Sequence, residues 1–91
     1  MRGIEAKLLL AKGDLDNAVR VLGTELDEVK LGLRVQIELS RAEQYKLKGY
    51  TTLCKEALET AQKYIEEGKA KYPHNQEYLG MEKQIKTFKC S

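Results

Sequence analysis

The sequence holds one histidine, His74, and two cysteines, Cys54 and Cys90, and nucleophilic or metal chemistry would have to be built from these side chains. A Ser-His-Asp or Cys-His site needs the imidazole beside the nucleophile and an acid to orient it. His74 instead follows Pro73 in a turn, away in sequence from both cysteines. Cys54 falls on an apolar stripe, where cysteine behaves as a small core residue. Cys90, beside the C-terminus, is expected as an exposed free thiol. Neither has CxxC or another ligand spacing, and one histidine with two separated cysteines does not supply a zinc ligand set. No metal and no cofactor is expected. Glu66-Glu67 and Asp14/Asp16 are carboxylate pairs, but adjacent helical positions point apart, and Asp14 has a capping role that already explains it. Neither GxxxxGK nor GxGxxG occurs, so no phosphate cradle is indicated. The chain is read as carrying no catalytic residues and as not being an enzyme.

Length and composition set the frame for what remains. At 91 residues there is room for one domain, 1–91, with one modest core. A formal charge of +2 with 33% charged residues describes a mixed-sign surface and excludes a polyelectrolyte. The distribution is uneven: Asp14, Asp16, Glu25, Asp27 and Glu28 face Arg20 alone within residues 14–28, while Lys69, Lys71, Lys83, Lys86 and Lys89 outnumber Glu77 and Glu82 in residues 69–91. Two thiols cannot staple a small secreted scaffold, which favours a reducing, cytoplasmic compartment. The short apolar run after Arg2 is broken by Lys12-Gly13-Asp14, unlike a signal peptide. No window approaches the roughly 20 apolar residues of a membrane span. Tyr78 and Phe88 are expected on a core-facing stripe and not as stacking platforms, so nucleic acid is not an expected partner. Three lysines on an amphipathic last helix do not make a membrane one.

Hydrophobic spacing gives five helices and no strand. The first covers about 2–12 and ends at Gly13, a residue that takes the left-handed cap conformation cheaply. Asp14 is a natural N-cap for the second, about 15–28, with Leu15, Ala18, Val19, Leu22, Leu26 and Val29 at helical spacing. The third spans about 31–48, with Leu31, Val35, Leu39, Ala42 and Tyr45 on one stripe and Leu33 and Ile37 alongside. Gly49 stops it, and Thr51 or Thr52 caps the fourth, whose stripe is Cys54, Ala57, Leu58, Ala61, Ile65, Gly68 and Tyr72. Pro73 ends that helix. Asn75 can cap a fifth, about 76–89, with Tyr78, Met81, Ile85 and Phe88 inward.

Gly13 and Gly49 are 36 residues apart, and their surroundings recur at that distance: Ala6 with Ala42, Leu9 with Tyr45, Ala18 with Cys54, Leu22 with Leu58. A period of this size marks stacked supersecondary units. On these residues the chain resembles the tetratricopeptide repeat family, whose unit is a helix hairpin of about 34 residues with small residues at the helix crossing. Ala6, Leu9, Gly13, Ala18 and Leu22 match the first unit, and Ala42, Tyr45, Gly49, Cys54, Leu58 and Ala61 the second. The family's large aromatic early in each unit is Arg2 and Glu38 here. The resemblance implies an all-α, α-hairpin repeat array: five antiparallel helices in a right-handed superhelical stack, with repeat one at about 2–30, repeat two at about 31–72 and a capping helix at about 75–89.

In such an array the first helix of each hairpin lines a concave surface where partners dock. By register that surface includes Gly3, Lys7, Leu10, Ala11, Gln36, Leu39, Glu43 and Lys46. The function this implies is that of a non-catalytic protein–protein interaction module or adaptor, taking an extended or helical segment of another protein in its groove. The alternative is a structural subunit that self-associates, or packs into a larger assembly, through an apolar N-terminal flank. Repeat arrays usually need about three units and polar ends to stand alone, which is what motivates this second expectation.

Overall fold

The computed structural model describes residues 2–90, with side-chain surroundings from Ile4 onward. Five helices follow one another: α1 Arg2–Lys12, α2 Leu15–Leu22, α3 Glu28–Leu47, α4 Thr51–Lys71 and α5 Glu77–Thr87. There is no strand among the described residues, so the expected all-α class holds.

The turns after α1 and α3 are built alike. Gly13 and Gly49 take φ of 80° and 81°. The Gly13 amide donates to the Leu10 carbonyl and the Asp14 amide to Leu9, at 3.0 and 2.9 Å. The Gly49 amide donates to Lys46 and the Tyr50 amide to Tyr45, at 3.1 and 2.8 Å. Both sets are the paired bonds of a Schellman cap, which satisfies carbonyls a helix end would otherwise orphan. In the second, the rings of Tyr45 and Tyr50 also meet, 6.4 Å between centroids.

Helix α3 is the spine. It packs against α1, α2, α4 and α5, whereas neither α1 nor α2 packs against α4 or α5 among the described residues. Two rows of its side chains serve two cores. Leu33 and Ile37 join Ala6, Leu15, Ala18 and Leu22 of the first hairpin. Leu31 and Val35 join Ala61, Ile65, Tyr78 and Met81 on the other side. Ala42 lies with Cys54 and Ala57 in a third, smaller cluster at the far end. Three of the four 36-residue pairs share environments: Ala6 and Ala42 are buried, as are Ala18 and Cys54, and Leu9 and Tyr45 are both half-buried, whereas Leu22 is buried and Leu58 only half-buried.

Several boundaries differ from the sequence expectation. Helix α2 stops at Leu22 and not near 28, because Gly23 turns into positive φ of 74°. The apolar spacing continues past this break because Leu26, in the connecting loop, still packs on the core. Helix α3 begins three residues earlier than expected: the Asp27 carboxylate accepts from the Lys30 amide at 2.9 Å and caps it there. Asp14 occupies the N-cap of α2, but its carboxylate accepts from the Asn17 side chain and not from a backbone amide. Neither Thr51 nor Thr52 is the α4 cap; Tyr50 holds that position, without a side-chain bond. Gln76, not Asn75, holds the N-cap position of α5, without a side-chain bond; Asn75, one residue before it, accepts from the Glu77 amide through its side chain at 2.8 Å.

The cysteines bring a larger correction. Cys54 is a fully buried core residue, but it is not a thiol: it is joined to Cys90, with Cα atoms 5.8 Å apart. Cys90 is therefore neither free nor fully exposed. The chain leaves α5 in extended geometry at Phe88 (φ −77°, ψ 131°) and returns over Ala42, Cys54 and Ala57. The inference from free thiols to a reducing compartment falls with them, since disulfides persist in oxidising surroundings. Among the described residues, no helix is long and apolar enough to cross a membrane.

One close approach fixes the angle of α5. Gly68 of α4 lies flat against the ring of Tyr78, and a Cβ there would sit 2.6 Å from Cδ1 and Cζ and closer still to Cε1. Tyr78 stacks on Tyr72 with centroids 6.5 Å apart. Its hydroxyl donates to the Glu28 carbonyl at 2.7 Å, joining α5 to the start of α3. Burial, with Glu28 adjacent, pushes the phenol up to about 12 from its ordinary 10. A raised folded-state value means this contribution is complete below about pH 10 and is lost as pH climbs towards 12. Stability measured by urea titration should accordingly fall between pH 10 and 12, and Tyr78→Phe should flatten that slope; an unchanged slope in the Phe variant would locate the titration elsewhere.

Candidate docking groove

Helices α1, α3 and α5 lie side by side, and a trough runs along α3 between the other two. Three depressions make it up. The first, of about 610 Å³, has Lys7, Glu28, Gln36, Glu77, Met81 and Gln84 in its walls. The second, of about 300 Å³, is formed by Leu10, Gln36, Leu39, Ser40, Met81 and Gln84. The third, of about 560 Å³, includes Leu39, Glu43, Lys46, Gln84, Phe88 and Lys89. Gln36 and Leu39 are shared between neighbours, and Gln84 borders all three, so the depressions are continuous.

The local sequence explains why these side chains converge. On α3, Gln36, Leu39, Glu43 and Lys46 recur at three- and four-residue steps and share one face. The buried rows flank that face on either side, and Leu39 packs against the edge of the second core as well. On α1, Ala6 is buried against α2 and α3, which leaves Lys7 and Leu10 towards the trough. Six of the eight expected residues, Lys7, Leu10, Gln36, Leu39, Glu43 and Lys46, therefore border one surface. Ala11 is exposed on α1 but lines none of these three depressions. Gly3 lies outside the residues whose surroundings are described.

The far wall was not anticipated. Spacing puts Met81 and Phe88 on the core stripe of the capping helix and says nothing of Gln84. Met81 is buried against the second core, yet its edge and those of Gln84 and Phe88 close the trough. A signal for this was present in the sequence: Met81, Gln84 and Phe88 stand at i, i+3 and i+7, a face of their own.

Charge along the trough changes sign. Glu28 and Glu77 stand at one end with Lys7, and Lys46 and Lys89 at the other with Glu43. Glu28 accepts from the Asn75 side chain at 2.7 Å, which holds it in place. The Lys46 ammonium lies 5.2 Å from the Phe88 ring centroid, within cation–π range. The floor between is apolar, through Leu10, Leu39 and Met81. Glu82, on the opposite side of α5, has its carboxyl held below the usual range by hydrogen bonds from Gln62 and Lys69 at 3.0 and 3.2 Å, and this clasp keeps α5 against α4.

Away from the trough, Glu38 is a buried carboxylate where the repeat pattern would place an aromatic ring. It accepts from Arg34 and Arg41, and Arg41 also reaches Asp16 of α2 at 2.9 Å. Arg34 in turn lies 5.1 Å from the centroid of Tyr64. The charge is thus paired twice, as a buried carboxylate requires. His74 is exposed in the α4–α5 turn. Among the described residues no group of three or more His, Cys, Asp or Glu side chains is placed to hold a metal ion.

No protein-family model matches the chain, and neither a curated protein nor a solved structure matches it.

Proposed function

We propose that this chain is a non-catalytic protein–protein interaction module of the tetratricopeptide-repeat kind, binding a segment of another protein in the trough between α1, α3 and α5. The observation that carries the reading is the convergence of Lys7, Leu10, Gln36, Leu39, Glu43 and Lys46 on one continuous surface. The duplicated Schellman turns and the matched burial of three of the four 36-residue pairs support a two-hairpin array with a closing helix in a right-handed stack. An apolar floor with polar walls suits an extended or helical segment, held by a few anchors and oriented by its end charges. Nucleic acid and membrane are not proposed as partners.

The test is capture of partners from extract by the immobilised chain, compared with Leu39→Asp and Lys7→Glu. Lys7 is exposed and Leu39 is half-buried at the edge of the second core, so helicity is checked for each variant, and both should lose at least about tenfold in partner retained, as expected when a central anchor or charge is removed. Equal capture by wild type and both variants would remove the trough as the docking surface.

A second reading rests on a different observation. Ile4 and Leu8 stand one turn apart on α1 and are 56% and 58% exposed. In an array such a flank receives the neighbouring unit, so the chain would self-associate or pack into a larger assembly through it. Sedimentation across a concentration series separates the readings: a strict monomer at high micromolar concentration argues against self-association.

A further inference from the structure

The disulfide and the trough share one short segment. Phe88 and Lys89 form the wall of the trough at its Lys46 end, and Cys90, the next residue, is bonded to Cys54. The Phe88 amide still donates to the Gln84 and Ile85 carbonyls, at 2.9 and 3.3 Å. Among the described residues, no hydrogen bond holds Lys89 or Cys90. The tail is therefore fixed by the packing of one ring and by one covalent bond. That ring is also what Lys46 sits over.

We propose that the Cys54–Cys90 bridge is a redox latch on the trough: oxidised, it straps residues 88–90 over the Lys46 end; reduced, it releases them and opens that end. The inference rests on the trough being the docking surface and names its regulation. Release would free Lys46 from the Phe88 ring and uncover the apolar surface around Ala42, adding both to what a partner can touch.

The chemistry is ordinary thiol–disulfide exchange with a dithiol reductant. Cys54 is fully buried, and Cys90 is the partly accessible partner, so the reductant's thiolate attacks Cys90 Sγ. A mixed disulfide forms there as the Cys54 sulfur leaves and takes a proton. The reductant's second thiol then displaces Cys90, which also takes a proton, and the reductant departs as its own disulfide. Two electrons pass from the reductant to the protein, and no atom is left over.

Amide hydrogen exchange and NMR shifts of the whole chain, with and without a dithiol reductant, test this without any partner. Reduction should speed exchange at Phe88 by about threefold or more, as local opening requires. It should also move the amide resonances of Leu39, Glu43 and Lys46 while leaving helical circular dichroism in place. Cys90→Ser without reductant should reproduce the reduced spectrum. Slower release than this, unmoved trough resonances, a Cys90→Ser spectrum like the oxidised one, or loss of helicity on reduction would each overturn the latch. Loss of helicity would make the bridge a staple of the whole fold. Failure of partner capture in both redox states would instead remove the docking reading and leave the exchange result intact.

Discussion

Gly68→Ala should lower the thermal midpoint by roughly 10–20 °C, although alanine is the better helix former by about 1 kcal/mol. The added Cβ would fall within 2.6 Å of ring atoms of Tyr78. That ring cannot yield cheaply: it is fully buried, stacked on Tyr72 and tethered through its hydroxyl to the Glu28 carbonyl. Overpacking of this kind costs about 1–3 kcal/mol and sometimes more, and a contact this short belongs at the upper end. Tyr78→Ala should cost about 3–5 kcal/mol by emptying the same site. The pair should be strongly non-additive, because the Gly68→Ala methyl has room once the ring is gone. The double variant should therefore be no less stable than Tyr78→Ala alone, measured by denaturant unfolding. Additive losses would mean that Gly68 matters for some reason other than this contact.

Reducing the Cys54–Cys90 bridge should cost about 4 kcal/mol, from the chain-entropy relation applied to a separation of 36 residues. A domain of this length has roughly 5–14 kcal/mol in hand at the usual per-residue stability. The reduced chain should therefore remain folded at 25 °C, with a lower urea midpoint. Substituting both Cys54 and Cys90 by alanine should remove any effect of reductant. A loss below about 1 kcal/mol on reduction would mean that residual structure in the unfolded chain, or strain relieved in the folded one, offsets the loop-closure entropy.

Much of the architecture could be read from residue order, and the failures have physical causes. Gly13 and Gly49 marked the two hairpin turns because each must supply a positive φ that other residues resist. The stripe of α4 was legible because Cys54, Ala57, Ala61, Ile65 and Gly68 repeat at helical spacing and all are buried. The end of α2 was not, because Leu26 contributes to the core from a loop and so mimics continued periodicity. The disulfide carried no local signal at all. Its partners meet only because the extended tail after Thr87 reaches the start of α4, a fact of tertiary geometry. In the trough, the α3 residues followed from the repeat register, since one helix face is fixed by its own spacing. The α5 wall did not, because Met81 and Phe88 each present one edge to a core and another to the groove, and a pattern of apolar positions records only the first.

The spine position of α3 has a consequence for how the molecule can come apart. Among the described residues, α1 and α2 pack on other helices only through α3, with Leu26 of the α2–α3 loop touching both cores. A seam therefore runs down one side of the spine, crossed by Leu33 and Ile37 and by the Arg41–Asp16 pair. Peeling the first pair away along that seam leaves the Leu31–Ile65–Tyr78 core in place, with the bridge in the neighbouring Ala42–Cys54–Ala57 cluster. Partial detachment at one end, with the other still standing, is built into the connectivity.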